Sequence, residues 1–188
     1  MNSDEARALM HEWTEGASLR AHMESVAACM DAYAERLDPA DRDRWIVTGL
    51  LHDMDYEKHP TAEEHPFVGV SLLKDLGYPE EMTEAILGHA SYTGVARTTL
   101  LARALFAVDE LAGFITAVAY VRPTGLEGMK PKSVKKKLKD RAFAAAVSRD
   151  DVYAGVEELE VNLDEHIARV IAGMLADADR LGFTSSDE

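Results

Sequence analysis

The sequence predicts an all-α fold. Apolar residues recur at spacings of three and four along the chain, no segment sustains the period-two alternation or β-branched enrichment of a sheet, and proline, glycine and capping acids punctuate the periodic stretches.

Ser3 to about Glu15 reads as a short first helix. Ser18 is placed to cap a second that reaches Leu37, with Leu19, Met23, Val26, Met30 and Tyr33 on one stripe and His22 beside it. Asp38 and Pro39 offer a capping acid and a first-turn proline for a third helix, running through Trp45 and Leu50 to His52 and Asp53. The polar stretch from Asp55 to Glu64 is a loop. His65-Pro66 opens a fourth helix, with Gly77 where a left-handed cap is expected. Pro79-Glu80-Glu81 starts a fifth that ends near His89, since proline suits the first turn and acids suit its positive dipole end. A sixth, from about Arg97 to Val121, is apolar along nearly its whole length and is expected to be the most buried. Asp109 and Glu110 interrupt it. Asp150 and Leu163 head two last helices, the latter ending near Gly182, and the tail after Phe183 is expected to fray.

The chain has 188 residues, 47% of them apolar, enough for one domain with a sizeable core and no need of disulfides or a structural metal. Its formal charge of −14 speaks against general nucleic-acid binding, which needs a surplus of Lys and Arg, but leaves room for a small anionic substrate at a local basic patch. The single cysteine, Cys29, cannot form an intramolecular disulfide and fits a reducing compartment. The longest uncharged apolar-rich stretch, Leu111 to Val121, is half of the roughly 20 residues that span a bilayer. Acids occupy the N-terminal segment where a secretory signal has basic residues, so a cytoplasmic protein without membrane attachment is expected, its oligomeric state open.

Two features carry chemistry. His52-Asp53 follows Gly49-Leu50-Leu51, which puts an imidazole and a carboxylate at the buried end of a helix, and Asp109 stands between Leu105-Phe106-Ala107-Val108 and Leu111-Ala112. An ionised carboxylate in such a helix costs several kcal/mol unless a cation or donors compensate it. One divalent metal bound by His22, His52, Asp53 and Asp109 would compensate all four groups. Imidazole with carboxylate suits manganese, iron, nickel, cobalt or zinc, and no thiolate is present to favour a closed structural zinc site.

The order His22, then His52-Asp53, then Asp109 on successive helices resembles the HD superfamily of metal-dependent phosphohydrolases, carried by LRAHMESVA, GLLHDMD and ALFAVDEL. The resemblance spans about residues 18 to 121 and is closest to HDIG-type predicted hydrolases, with Asp55 where that motif has glycine. His65 in EEHPFVGVSLL and His89 in AILGHASY complete the six-ligand order of two-metal HD proteins, which include HD-GYP phosphodiesterases and HD-type mixed-valent diiron oxygenases. The HD-GYP signature itself is absent. The resemblance implies an all-α HD-type bundle over residues 1–188, with a ligand core at about 18–121 and a helical extension at about 130–182. It implies one or two divalent ions, transition metals or magnesium, with Asp53 bridging His22, His52 and Asp109 on one side to His65 and His89 on the other. The implied activity is hydrolysis of a nucleotide or other small phosphate ester, with Asp53 and Asp55 as catalytic groups. A diiron oxygenase and a non-catalytic metal-binding module are the alternatives.

Seven of the twenty basic residues fall between Lys130 and Arg141. A helix starting near Ser133 would put Lys132, Lys136 and Lys139 on one face, so Lys132 and Lys136, with Lys58 beside the doublet, are candidate phosphate-binding residues. His59 and His166 read as surface residues, His11 is unassigned, and Cys29 lies about two turns from His22, too far to share a metal with it.

Overall fold

A computed structural model describes residues 2–183; the tail after Phe183 lies outside the described residues. Among these, nine α-helices and one 3₁₀ turn, Ser91–Thr93, form the fold, with no strand. The helices are α1 (Ser3–Trp13), α2 (Ala17–Leu37), α3 (Arg42–Leu51), α4 (Phe67–Asp75), α5 (Glu80–His89), α6 (Leu100–Tyr120), α7 (Pro131–Leu138), α8 (Arg149–Glu158) and α9 (Leu163–Ala176). None is long and apolar enough to cross a membrane.

Local chemistry explains most boundaries. Asn2 accepts from the Asp4 and Glu5 amides while the Glu5 carboxylate accepts from the Asn2 amide, a capping box for α1. Thr99, Ser148 and Asn162 cap α6, α8 and α9 by accepting first-turn amides with their side-chain oxygens. Gly77, at φ +81°, turns the chain after α4 in a conformation a β-carbon would strain.

Several expected starts and stops move. Gly16 rather than Ser18 precedes α2 without a side-chain cap, and its amide donates to Glu57 Oε2 at 2.8 Å, so a distant side chain anchors the entry to the helix. Asp38 ends α2 instead of starting α3, because its carboxylate accepts from Arg44 at 3.0 Å and from the Trp45 indole at 3.2 Å; α3 begins at Arg42. Helix α7 begins at Pro131, not Ser133, with proline in its first turn. Helix α9 stops at Ala176, and the chain turns on to Gly182 at φ +72°.

Helix α6 is the axis of the bundle. It packs on α2, α5, α8 and α9, and residues such as Leu105, Val108, Leu111 and Phe114 are fully buried. Two glycines set the tightest contacts: a β-carbon on Gly49 would stand 2.7 Å from Ala27 Cα, and one on Gly155 would stand 2.6 Å from Ala107 Cα. Thus α3 lies backbone to backbone on α2, and α8 on α6. The first contact brings the end of α3 to the face of α2 that carries His22. His166, expected at the surface, is fully buried, because the first turn of α9 faces inward: its Nε2 donates to the Ala107 carbonyl at 2.8 Å and its Nδ1 accepts from the Tyr33 hydroxyl.

Candidate metal centre

Three of the four site histidines are oriented by an oxygen acceptor on the far side of the ring, and the fourth, His22, stands on α2. His52, just past α3, reaches back to the Gly49 carbonyl with Nδ1 at 2.8 Å, and His89, the last residue of α5, does the same to Ile86. A carbonyl only accepts, so both Nδ1 atoms carry the proton and both Nε2 atoms face away as lone pairs. His65 has its Nδ1 2.7 Å from Asp55 Oδ1, whose other oxygen accepts from the Gly69 amide at 2.6 Å. Such outward partners fix the tautomer and aim of a ligating imidazole.

The three Nε2 atoms converge on Asp53. Its Oδ1 lies 3.4 Å from His65 Nε2 and 3.3 Å from His89 Nε2. Its Oδ2 lies 3.6 Å from His52 Nε2 and 3.8 Å from His22 Nε2. Asp109 Oδ1 closes the second group, 2.9 Å from His22 Nε2 and 3.4 Å from His52 Nε2. Two sets therefore could each hold an ion, His22-His52-Asp53 with Asp109 adjoining, and Asp53-His65-His89.

The donor set fits divalent metals. His52 Nε2 is buried and makes no hydrogen bond, although two carboxylates flank it. Imidazole lone pairs aimed at carboxylate oxygens repel unless a cation lies between them. Bonds of about 2.1 Å place neighbouring ligand atoms roughly 3.0 to 3.4 Å apart in octahedral and tetrahedral shells, near the spacings found here. The electrostatics agree. Where no metal ion is bound, a proton on Nε2 takes the place of the cation: burial alone would lower the pKa of His52, but Asp53 and Asp109 outweigh it and push it up to about 9. Burial would raise both carboxyls; His52, aided by His89 at Asp53 and by His22 at Asp109, holds them well below the usual range instead.

A cavity of about 400 Å³ opens over both sets and is lined by His22, Asp53, His65, His89 and Asp109. Its remaining polar lining is Tyr56, Ser91, Tyr92, Glu110 and Asp151, with no Lys or Arg. Tyr92 donates to the His65 carbonyl at 2.9 Å, and the Tyr56 ring stands edge-on to His65. Burial, then the neighbouring Asp109, pushes the Glu110 carboxyl up to about 7. Of these residues only Glu110 stood out in the sequence, as the second acid in an apolar helix; the others carry no local signal.

Four predicted residues lie elsewhere. Asp55 is buried at 1% exposure and has both oxygens occupied by His65 and Gly69, so it does not face the cavity as a base would. Lys58 turns to α1, where its ammonium donates to the Glu12 carbonyl at 3.2 Å and lies 4.8 Å from the centre of a Trp13 ring. Lys132 and Lys136 are exposed on α7 and do not line the cavity, since α7 packs by Val134 and Leu138 and turns these lysines to solvent. His59 is half-buried and paired with Glu64. Cys29 is buried with its thiol directed at the Val170 carbonyl, and burial pushes its pKa up.

No curated protein and no solved structure matches the chain at a significant level. The family model described as HD domain matches residues 19–113, half of the chain, an interval that contains all six converging residues. With its helical bundle and its ordered His, His-Asp, His, His and Asp, the chain belongs to the HD domain family.

Proposed function

We propose that this protein is a metal-dependent phosphohydrolase acting on a nucleotide or other small phosphate ester, with a dinuclear centre held by His22, His52, Asp53, His65, His89 and Asp109. The observation that carries the reading is the division of one carboxylate: Asp53 turns Oδ2 to His22 and His52 and Oδ1 to His65 and His89. Divalent ions in such a centre would lower the pKa of water and neutralise charge developing on a phosphoryl group. Asp53 orients both halves of the site, and Asp55 acts through His65 as a positioning residue rather than as a base. Tyr92 braces the backbone of His65. Residues 18–121 form the ligand-bearing core of one HD-type unit and residues 130–182 its extension, which walls the cavity with Ala146, Val147 and Asp151. A buried free thiol, Cys29, agrees with a cytoplasmic setting.

The cavity without Lys or Arg favours a second reading, an HD-type diiron oxygenase on an uncharged polyhydroxyl substrate. One preparation separates the two. Untagged protein purified without chelator is analysed for metal, then assayed with manganese for phosphate release from a phosphate-ester panel and with iron for oxygen uptake on polyols. Phosphate release that disappears in Asp53→Ala supports the hydrolase. Two irons per chain with oxygen uptake and no phosphate release would overturn it.

A further inference from the structure

The metal cavity has a neighbour. A groove of about 570 Å³ is lined by Lys139, Arg141, Ser148, Arg149, Asp150 and Tyr153. Val147 lines both spaces, Ala146 the first and Ala145 the second, so the chain from 145 to 148 is the partition between them. The two sides differ in charge. The metal cavity carries Asp53, Asp109, Glu110 and Asp151 with no Lys or Arg, whereas the groove carries three cations against one carboxylate.

These cations are unbalanced. Among the described residues Lys139, Arg141 and Arg149 form no ion pair, as is true of most Lys and Arg of the chain, and here three such residues line one groove. Lys139 and Arg141 are exposed. The guanidinium of Arg149 donates only to backbone carbonyls, of Ala144 at 2.5 Å, Val147 at 2.8 Å, Asp140 at 3.3 Å and Phe143, so its charge is not neutralised. It also holds the partition in shape. An anionic group in the groove meets Lys139, Arg141 and Arg149 against the single carboxylate of Asp150.

We propose that this groove binds a second anionic group of the substrate, a carboxylate, sulfate or further phosphate, while the reacting phosphate ester lies in the metal cavity. The proposal rests on the hydrolase reading and narrows its substrate class to esters with two anionic ends. It also assigns the role expected of the lysine-rich segment to Lys139 and Arg141 instead of Lys132 and Lys136.

The test uses full-length protein loaded with manganese and two matched pairs: 3-phosphoglycerate with glycerol 3-phosphate, and adenosine 3′,5′-bisphosphate with adenosine 5′-monophosphate. For each pair the ratio of kcat/KM, doubly anionic over singly anionic, is compared between wild type and variants. K139E/R141E should lower the ratio about tenfold through KM, as expected when an ion pair becomes a repulsion. K132E/K136E, the same charge change away from both cavities, should move it less than about twofold. Ratios unchanged in K139E/R141E, or lowered equally by both double variants, would overturn the groove. If wild type releases phosphate from none of the four compounds, the groove is tested apart from the hydrolase reading by an NMR titration with inorganic sulfate. Shifts of the Lys139, Arg141 and Arg149 amides that are lost in K139E/R141E would sustain the groove as an anion site, and their absence in wild type would refute it.

Discussion

Asp55 Oδ1 lies 2.7 Å from His65 Nδ1, so a residue with no access to the cavity decides which nitrogen of that ring faces Asp53. Replacing Asp55 by Ala leaves the His65 Nδ1–H and the Gly69 amide without a partner in a buried place. Loss of such an outer partner costs about 10- to 100-fold in metal affinity, and each unpaired donor about 1–3 kcal/mol of stability. Metal titration of Asp55→Ala should show one ion bound near wild-type strength and the other weakened. Equal weakening of both would contradict the division of the site.

Asp53 and His89 should differ in the same assay. Asp53 faces both histidine sets, His89 only one. Asp53→Ala is expected to lose both ions and all turnover; His89→Ala should keep the ion of the His22-His52-Asp109 side. Native mass spectrometry counts the metals, and an Asp53→Ala protein with full metal content would remove the bridging role.

Gly49 links packing to the site. A β-carbon there would meet Ala27 N at 2.9 Å as well as its Cα, and α3 must retreat from α2 to admit it. Overpacking of this kind costs about 1–3 kcal/mol. Because α2 carries His22 and α3 positions His52, Gly49→Ala should lower both the melting temperature and metal affinity. A variant destabilised by that amount with unchanged affinity would show that the site tolerates the helix shift.

His166 makes stability depend on pH. Burial, and then the charge of Arg169, outweigh its bond to the Ala107 carbonyl and push its pKa down to about 4, below the roughly 6.5 of an unfolded chain. Between these values the unfolded chain binds a proton that the folded chain does not. The contribution is complete above about pH 6.5 and is lost as pH falls to about 4, on the order of 3 kcal/mol in all. Urea denaturation of wild type should be steeper in pH over this interval than that of His166→Gln. Parallel curves would exclude His166 as the cause.

Helix type and helix order were legible because each is written locally. Apolar spacing selects the helix, caps and prolines bound it, and a carboxylate such as Asp109 inside an apolar helix announces a need for compensation. Boundaries failed where a distant group competed with a local one: Trp45 and Arg44 claim Asp38, and Glu57 anchors the amide of Gly16. Only the tertiary structure decided what faces what. The closeness of α2 and α3 at Gly49, the division of Asp53 between two histidine sets, the outward turn of Lys58, Lys132 and Lys136, and the burial of Asp55 and His166 depend on how helices cross. Crossing is set by contacts between residues tens of positions apart, for which one sequence carries no periodic signal.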